Sequence, residues 1–126
     1  TREPFVPEAH AIKTRAAREY SRQCLNQIYQ SGKIRYTIGT DANHGLLYKE
    51  LEFAVDGGAS KLDAVKAITV NAAKMCGLEK KTGQLTAGLK ADIIAVDENP
   101  LDNVSALKDV RFVMKSGKTY KIPAQK

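Results

Sequence analysis

The chain has no tryptophan, only two cysteines, two histidines and four prolines in 126 residues. Aromatic residues make up 6%, too few to build the stacking platforms that single-stranded nucleic acids use. No stretch approaches the run of about 18 apolar residues that would cross a bilayer, so no membrane span is expected. Cys24 and Cys76 have no second cysteine or histidine at metal-site spacing. They read as buried thiols in a reducing, cytoplasmic compartment, although two cysteines can also form one bridge. The opening Thr1-Arg2-Glu3-Pro4 is neither a signal peptide nor an initiator methionine. The chain is therefore expected to be processed, excised or part of something longer.

What is present is the profile of a soluble globular domain: 43% hydrophobic and 27% charged residues. The formal net charge is +6, with basic and acidic residues interspersed. The densest basic group is Arg15, Arg18, Arg22, Lys33 and Arg35. It reads as a solvated helix face rather than a nucleic-acid surface.

Pro7 to Ser31 carries apolar or small residues at Ala9, Ile12, Ala16, Tyr20, Cys24 and Ile28, the spacing of one amphipathic helix that stops at Gly32. His10 lies off this stripe and is assigned no chemistry. Residues 34–40 form a short apolar run that favours a strand. Leu46 to Val55 predicts a second helix with Leu47, Leu51 and Ala54/Val55 inward, ended by Gly57-Gly58. Ser60 is placed as the N-cap of a third helix, with Asp63 at the capping-box position. Leu62, Val65, Ile68, Ala72 and Met75 are expected on its buried side, and Gly77 at its end. Short strands come next: one over 91–97, and a hairpin over 110–122 turning at Ser116-Gly117, with a helical turn over 103–108 between them.

Chemistry is expected at Tyr36-Thr37-Ile38-Gly39-Thr40-Asp41-Ala42. In parallel α/β proteins the reacting groups gather beyond the carboxyl ends of strands. Gly39 admits a close approach, and Asp41 stands where the strand would end. A carboxylate there can bind a metal or take a proton from water, or it can simply cap a helix or close a turn. His44, three residues on in the loop Asn43-His44-Gly45, is a second candidate, against the commoner fate of solvent exposure. A lone parallel strand needs neighbours, and the closing strands are too few for a barrel or a sandwich. Both ends of the chain thus call for sheet partners that are not in it.

Several short pieces, in order and spacing, resemble the carboxyl-terminal part of the metal-dependent amidohydrolases. The imidazolonepropionase-like and Xaa-Pro dipeptidase-like branch is the most similar. The pieces are Gly39-Thr40-Asp41-Ala42, Glu50-Leu51-Glu52, Gly57-Gly58-Ala59-Ser60, Ala67-Ile68-Thr69-Val70-Asn71-Ala72-Ala73-Lys74, Thr82-Gly83-Gln84-Leu85, Gly88-Leu89-Lys90-Ala91-Asp92-Ile93-Ile94-Ala95-Val96-Asp97 and Asn99-Pro100-Leu101.

The resemblance implies an α/β fold, the carboxyl-terminal fragment of a (β/α)8 TIM barrel followed by strands of a small composite β-sandwich. Residues 1–90 would hold the last helices and final strand of the barrel, and residues 91–126 the sandwich strands. Asp41 would be the strand-eight aspartate that approaches a catalytic zinc and accepts a proton from the attacking water. His44 would lie near the substrate. The family's other ligands, a His-x-His pair and further histidines on earlier strands, have no counterpart here. Asp41 and His44 alone cannot hold a catalytic zinc, which needs three or four protein ligands. The implied partners are the missing amino-terminal part of the barrel or another copy of the chain, in an oligomer. The implied substrate is a small amide or peptide, with no nucleic acid or membrane. The chain would then serve a hydrolase of C–N bonds and be inactive alone, or be a non-catalytic interaction module derived from one.

Overall fold

In the computed structural model, residues 8–40 and 44–122 are described, with side chains from residue 12 onward. The first element is α1, Glu8–Ser31, 24 residues long and therefore about 36 Å at 1.5 Å per residue. Its end is fixed by Ser31, whose hydroxyl donates to the Ile28 carbonyl at 2.8 Å. Residues 33–40 continue the chain without any strand ladder. The expected strand over 34–40 is thus not formed among the described residues. A strand exists only through partners, and the described residues bring none to that segment.

The next helix, α2, spans Leu47–Asp56 and buries Leu51 and Ala54. Leu47 and Val55 pack around Leu51, so its inward face is the expected one. Ser60 caps α3, Lys61–Ile68, by accepting from the Asp63 amide at 3.0 Å. The Ser60 hydroxyl in turn donates to the Asp63 carboxylate at 2.7 Å.

The third helix does not run through to Met75 as one rod. It breaks at Thr69 (φ −121°, ψ −98°), and α4 resumes over Val70–Met75. The Thr69 hydroxyl donates to the Val65 carbonyl at 2.8 Å, the local competition with helical bonding that β-hydroxy residues offer. The expected face packs only in part: Val65 and Ile68 lie against the core cluster, and Leu62 and Met75 do not. Ala64, Ala67 and Ala73 are buried, whereas Leu62 is 48% and Met75 69% exposed. The most deeply buried positions carry small side chains, which let the neighbouring elements come close.

The turn between α2 and α3 is where α1 docks. Asn26 donates its side-chain amide to the Gly57 carbonyl at 2.8 Å. Gly58 has φ +105°, and a Cβ there would sit 2.5 Å from Asn26 Nδ2. The left-handed backbone favours glycine at 58, and a Cβ there would displace the Asn26 carboxamide from its place. Gly83 repeats the logic beside α4: φ is +101°, and a Cβ would lie 2.5 Å from the Ala73 Cβ.

Three antiparallel strands close the chain, in the order β1-β2-β3: β1 is Ile93–Ala95, β2 Phe112–Lys115 and β3 Lys118–Lys121. Ile93 pairs with Met114 and Ala95 with Phe112. A 3₁₀ turn at Val104–Lys108 precedes the hairpin and buries Val104 against α2. It is tied to α2 by Ser105, which donates to Glu52 at 2.5 Å.

The core is small. Leu51, Ala64 and Val104 form its buried centre, ringed by Ile38, Leu47, Val55, Val65, Ile68 and Leu107. Among the described residues, Leu51 alone is a large, fully buried side chain. The accessible surface is 10093 Å², against about 6,600 Å² for a compact monomer of 13.8 kDa. Part of the excess lies along α1 up to its middle, where Ile12 is 60% and Tyr20 71% exposed. Both belong to the apolar stripe read from the sequence, so the described residues leave that part of the stripe uncovered, whereas Cys24 and Ile28 further along it are half-buried. The expected burial of both thiols is likewise not met: Cys24 is half-buried, Cys76 is exposed and both are free.

Candidate functional site

Asp41 falls at residues 41–43, outside the described residues. The segment ahead of it and the turn beyond it are both described. His44 is exposed, in a turn just before α2. Gly39 is exposed, and nothing lies within 4 Å of a Cβ built on it. The close approach expected there is not made by any described part of this chain.

The segment ahead of Asp41 is held by helices on two sides. The Tyr36 carbonyl accepts from Asn71 Nδ2 at 3.1 Å. The Thr37 hydroxyl donates to the Met75 sulfur at 3.4 Å, a weak acceptor. The Tyr36 ring leans on Tyr29 of α1, with centroids 4.8 Å apart and planes at 58°, a tilted aromatic pair. Ile38 reaches the core cluster. Between the segment and α4 lies a shallow cleft of about 210 Å³ lined by Arg35, Tyr36, Thr37, Asn71, Lys74 and Met75.

The Tyr36 hydroxyl is enclosed and makes no hydrogen bond among the described residues. Burial, then the nearby Asp63 carboxylate and the Tyr29 phenol, push its pKa up to about 12. Each of these disfavours the phenolate. Tyr29 is raised in the same direction, by burial and then by Glu50.

A second polar centre organises the sheet. Asp92 accepts from the Thr82 hydroxyl at 2.8 Å and from the Ser116 amide at 2.7 Å. One carboxylate thereby ties the 82–83 turn to the β2–β3 hairpin. The Ser116 amide and then the Thr82 hydroxyl hold its pKa below the ordinary value. Its role is architectural.

Among the described residues, no three His, Cys, Asp or Glu side chains come together as metal donors. These donors do not fit a metal by themselves. No helix among the described residues is long and apolar enough to cross a membrane. Tyr29, Tyr36 and Asn71 are not distinguished by periodicity. The usable signal is Asn71, a polar residue among Val70, Ala72 and Ala73 in the first turn of α4.

Residues 6–120 match the amidohydrolase family. The ochratoxinase of Aspergillus niger is 42% identical over 96 residues, which cover 71% of this chain and 20% of that protein. The crystal structure of that ochratoxinase superposes with a TM-score of 0.84 at 34% identity, covering 94% of this chain and 29% of that one. A Xaa-Pro dipeptidase, solved with methionine bound in its active site, gives a TM-score of 0.82 at 30% identity, covering 94% and 30%. A 5-methylthioadenosine/S-adenosylhomocysteine deaminase of Teredinibacter turnerae is 40% identical over 82 residues, 55% of this chain and 19% of that protein. The chain spans about a fifth of the length of these curated relatives.

Proposed function

The chain belongs to the amidohydrolase family, and from that premise we propose that it supplies the last strand and closing helices of a (β/α)8 barrel, with part of a flanking β-sandwich, to a hydrolase of C–N bonds. The observation that carries this reading is one of proportion. The superposition on the ochratoxinase structure covers 94% of this chain yet only 29% of that one. A complete barrel needs roughly 250 residues. The uncovered part of the α1 stripe and the unpaired run at 33–40 are where the rest of such a barrel would pack.

Asp41 is the proposed contribution to the reaction centre. A carboxylate at the end of the last barrel strand accepts a proton from the attacking water, and His44 stands on the substrate side. Members of the family are generally metal-dependent, and a bound metal makes water acidic enough to be deprotonated near neutral pH. The donors for such a metal would come mostly from outside the described residues. The relatives' names, a deaminase and a dipeptidase, point to C–N bonds; the substrate here is proposed only as a small amide or peptide.

A chimera tests this. The matching stretch of the A. niger ochratoxinase is replaced by residues of this chain. The reading expects measurable hydrolysis, lost in the Asp41→Asn chimera. Hydrolysis that survives Asp41→Asn would refute the role of Asp41. The isolated chain with added zinc is expected to turn over neither amides nor dipeptides. Robust turnover abolished by Asp41→Ala would show that the chain suffices alone.

A further inference from the structure

We propose that Asn71 is a positioning residue, its carboxamide fixing the register of residues 36–40 as the chain runs toward Asp41. Residues 33–40 have no ladder, so their placement depends on side chains from the helices. Asn71 and Met75 lie four apart on α4, on one face of the helix. They meet two consecutive residues of the segment, Asn71 the Tyr36 carbonyl and Met75 the Thr37 hydroxyl. A slip by one residue would break both contacts and move Tyr36 off Tyr29.

The break at Thr69 separates α4 from the rod of α3, and Thr69 holds that break by bonding back to Val65. On another side of α4, Ala73 is closed against Gly83. The helix is therefore fixed between the 82–83 turn and the segment, and Asn71 is its polar contact with the segment's backbone. The carboxamide has a donor for the carbonyl, which an apolar side chain of similar size lacks.

The consequence for catalysis rests on the proposed role of Asp41; the anchor does not. The anchor is read in the isolated chain with no turnover assay, and Asp41 only by turnover in the chimera, so each can fail without the other. In the unsubstituted chain, NMR should detect a scalar coupling across the hydrogen bond from Asn71 Nδ2 to the Tyr36 carbonyl. Tryptic cleavage after the exposed Arg35, under native conditions, should rise roughly fivefold in Asn71→Ala, the effect of one lost hydrogen bond on local opening. Cleavage after Lys115 and Lys118 in the hairpin should change less than about twofold.

Asn71→Asp separates bonding from space filling. It keeps the volume and loses the donor when ionised, then regains an O–H donor below about pH 4. The Tyr36 carbonyl ¹³C resonance should move away from its normal position at pH 7 in that variant and return on acidification, with no such return in Asn71→Ala. An absent coupling overturns the proposal. So does unchanged cleavage at Arg35, a uniform rise at all sites, or a Tyr36 carbonyl indifferent to pH in Asn71→Asp.

Discussion

Truncating Leu51 should remove most of the stability this chain has. Leu51 is fully enclosed, packed between Ala64 of α3, Val104 of the 3₁₀ turn and the ring from Ile38 to Leu107. Leu51→Ala deletes three carbons, a transfer loss of about 2.4 kcal/mol at ~0.8 kcal/mol each. A cavity term is added, and Leu→Ala changes in closed cores total about 2.7–5 kcal/mol. Much of the ring is only partly buried and can relax inward, so about 3 kcal/mol is the expected loss. Domains hold roughly 5–15 kcal/mol in all, and a core with one large enclosed side chain among the described residues belongs at the low end. The assay is urea denaturation followed by circular dichroism at 222 nm. The Leu51→Ala midpoint should fall sharply with the slope unchanged, while Leu85→Ala, at a position 79% exposed, should move it by less than about 0.5 kcal/mol. A Leu51→Ala loss below about 1 kcal/mol would refute the assignment of the core.

Other outcomes rest on single groups. Ser60→Ala removes the cap of α3 and should cost about 1 kcal/mol by the same denaturation assay, with Ser60→Asp recovering most of it. Tyr36→Phe deletes an enclosed hydroxyl without a hydrogen-bond partner among the described residues, so stability at pH 7 should hold or rise slightly. The raised phenol also sets a pH window. The unfolded chain releases this proton near 10 and the folded chain near 12, so stability is full below pH 10 and falls as pH climbs through that interval. Tyr36→Phe should flatten that part of the pH curve; an unchanged slope would place the titration elsewhere. Cys76 should react with a thiol reagent faster than Cys24, given their exposure, and Cys76→Ser should remove the fast phase.

The parts legible in the sequence are those governed by local rules. Ser60 with Asp63, the inward face of α2, the 3₁₀ turn near 104 and the turn at Ser116-Gly117 all depend on neighbours within a few residues. Residues 34–40 have the composition of a strand, but strand formation is decided by partners, which composition does not encode. On α3 and α4 the stripe finds Val65 and Ile68, which pack on the core, but misses the most buried positions because those are alanines. The break at Thr69 also shifts the phase between Ile68 and Val70. Asp41 and His44 are legible as candidates from residue type and position. The contact of Asn71 with Tyr36 joins residues 35 positions apart, beyond any local pattern, and the ring pair of Tyr29 and Tyr36 spans the end of α1.

The central claim is that the reaction centre needs residues from beyond this chain. Titration of the isolated chain with zinc, followed calorimetrically, puts it to the test most directly. The account predicts no saturable binding tighter than about 10 μM, since a zinc site takes three or four protein donors and none gather among the described residues. Stoichiometric submicromolar binding, lost in both Asp41→Ala and His44→Ala, would contradict it.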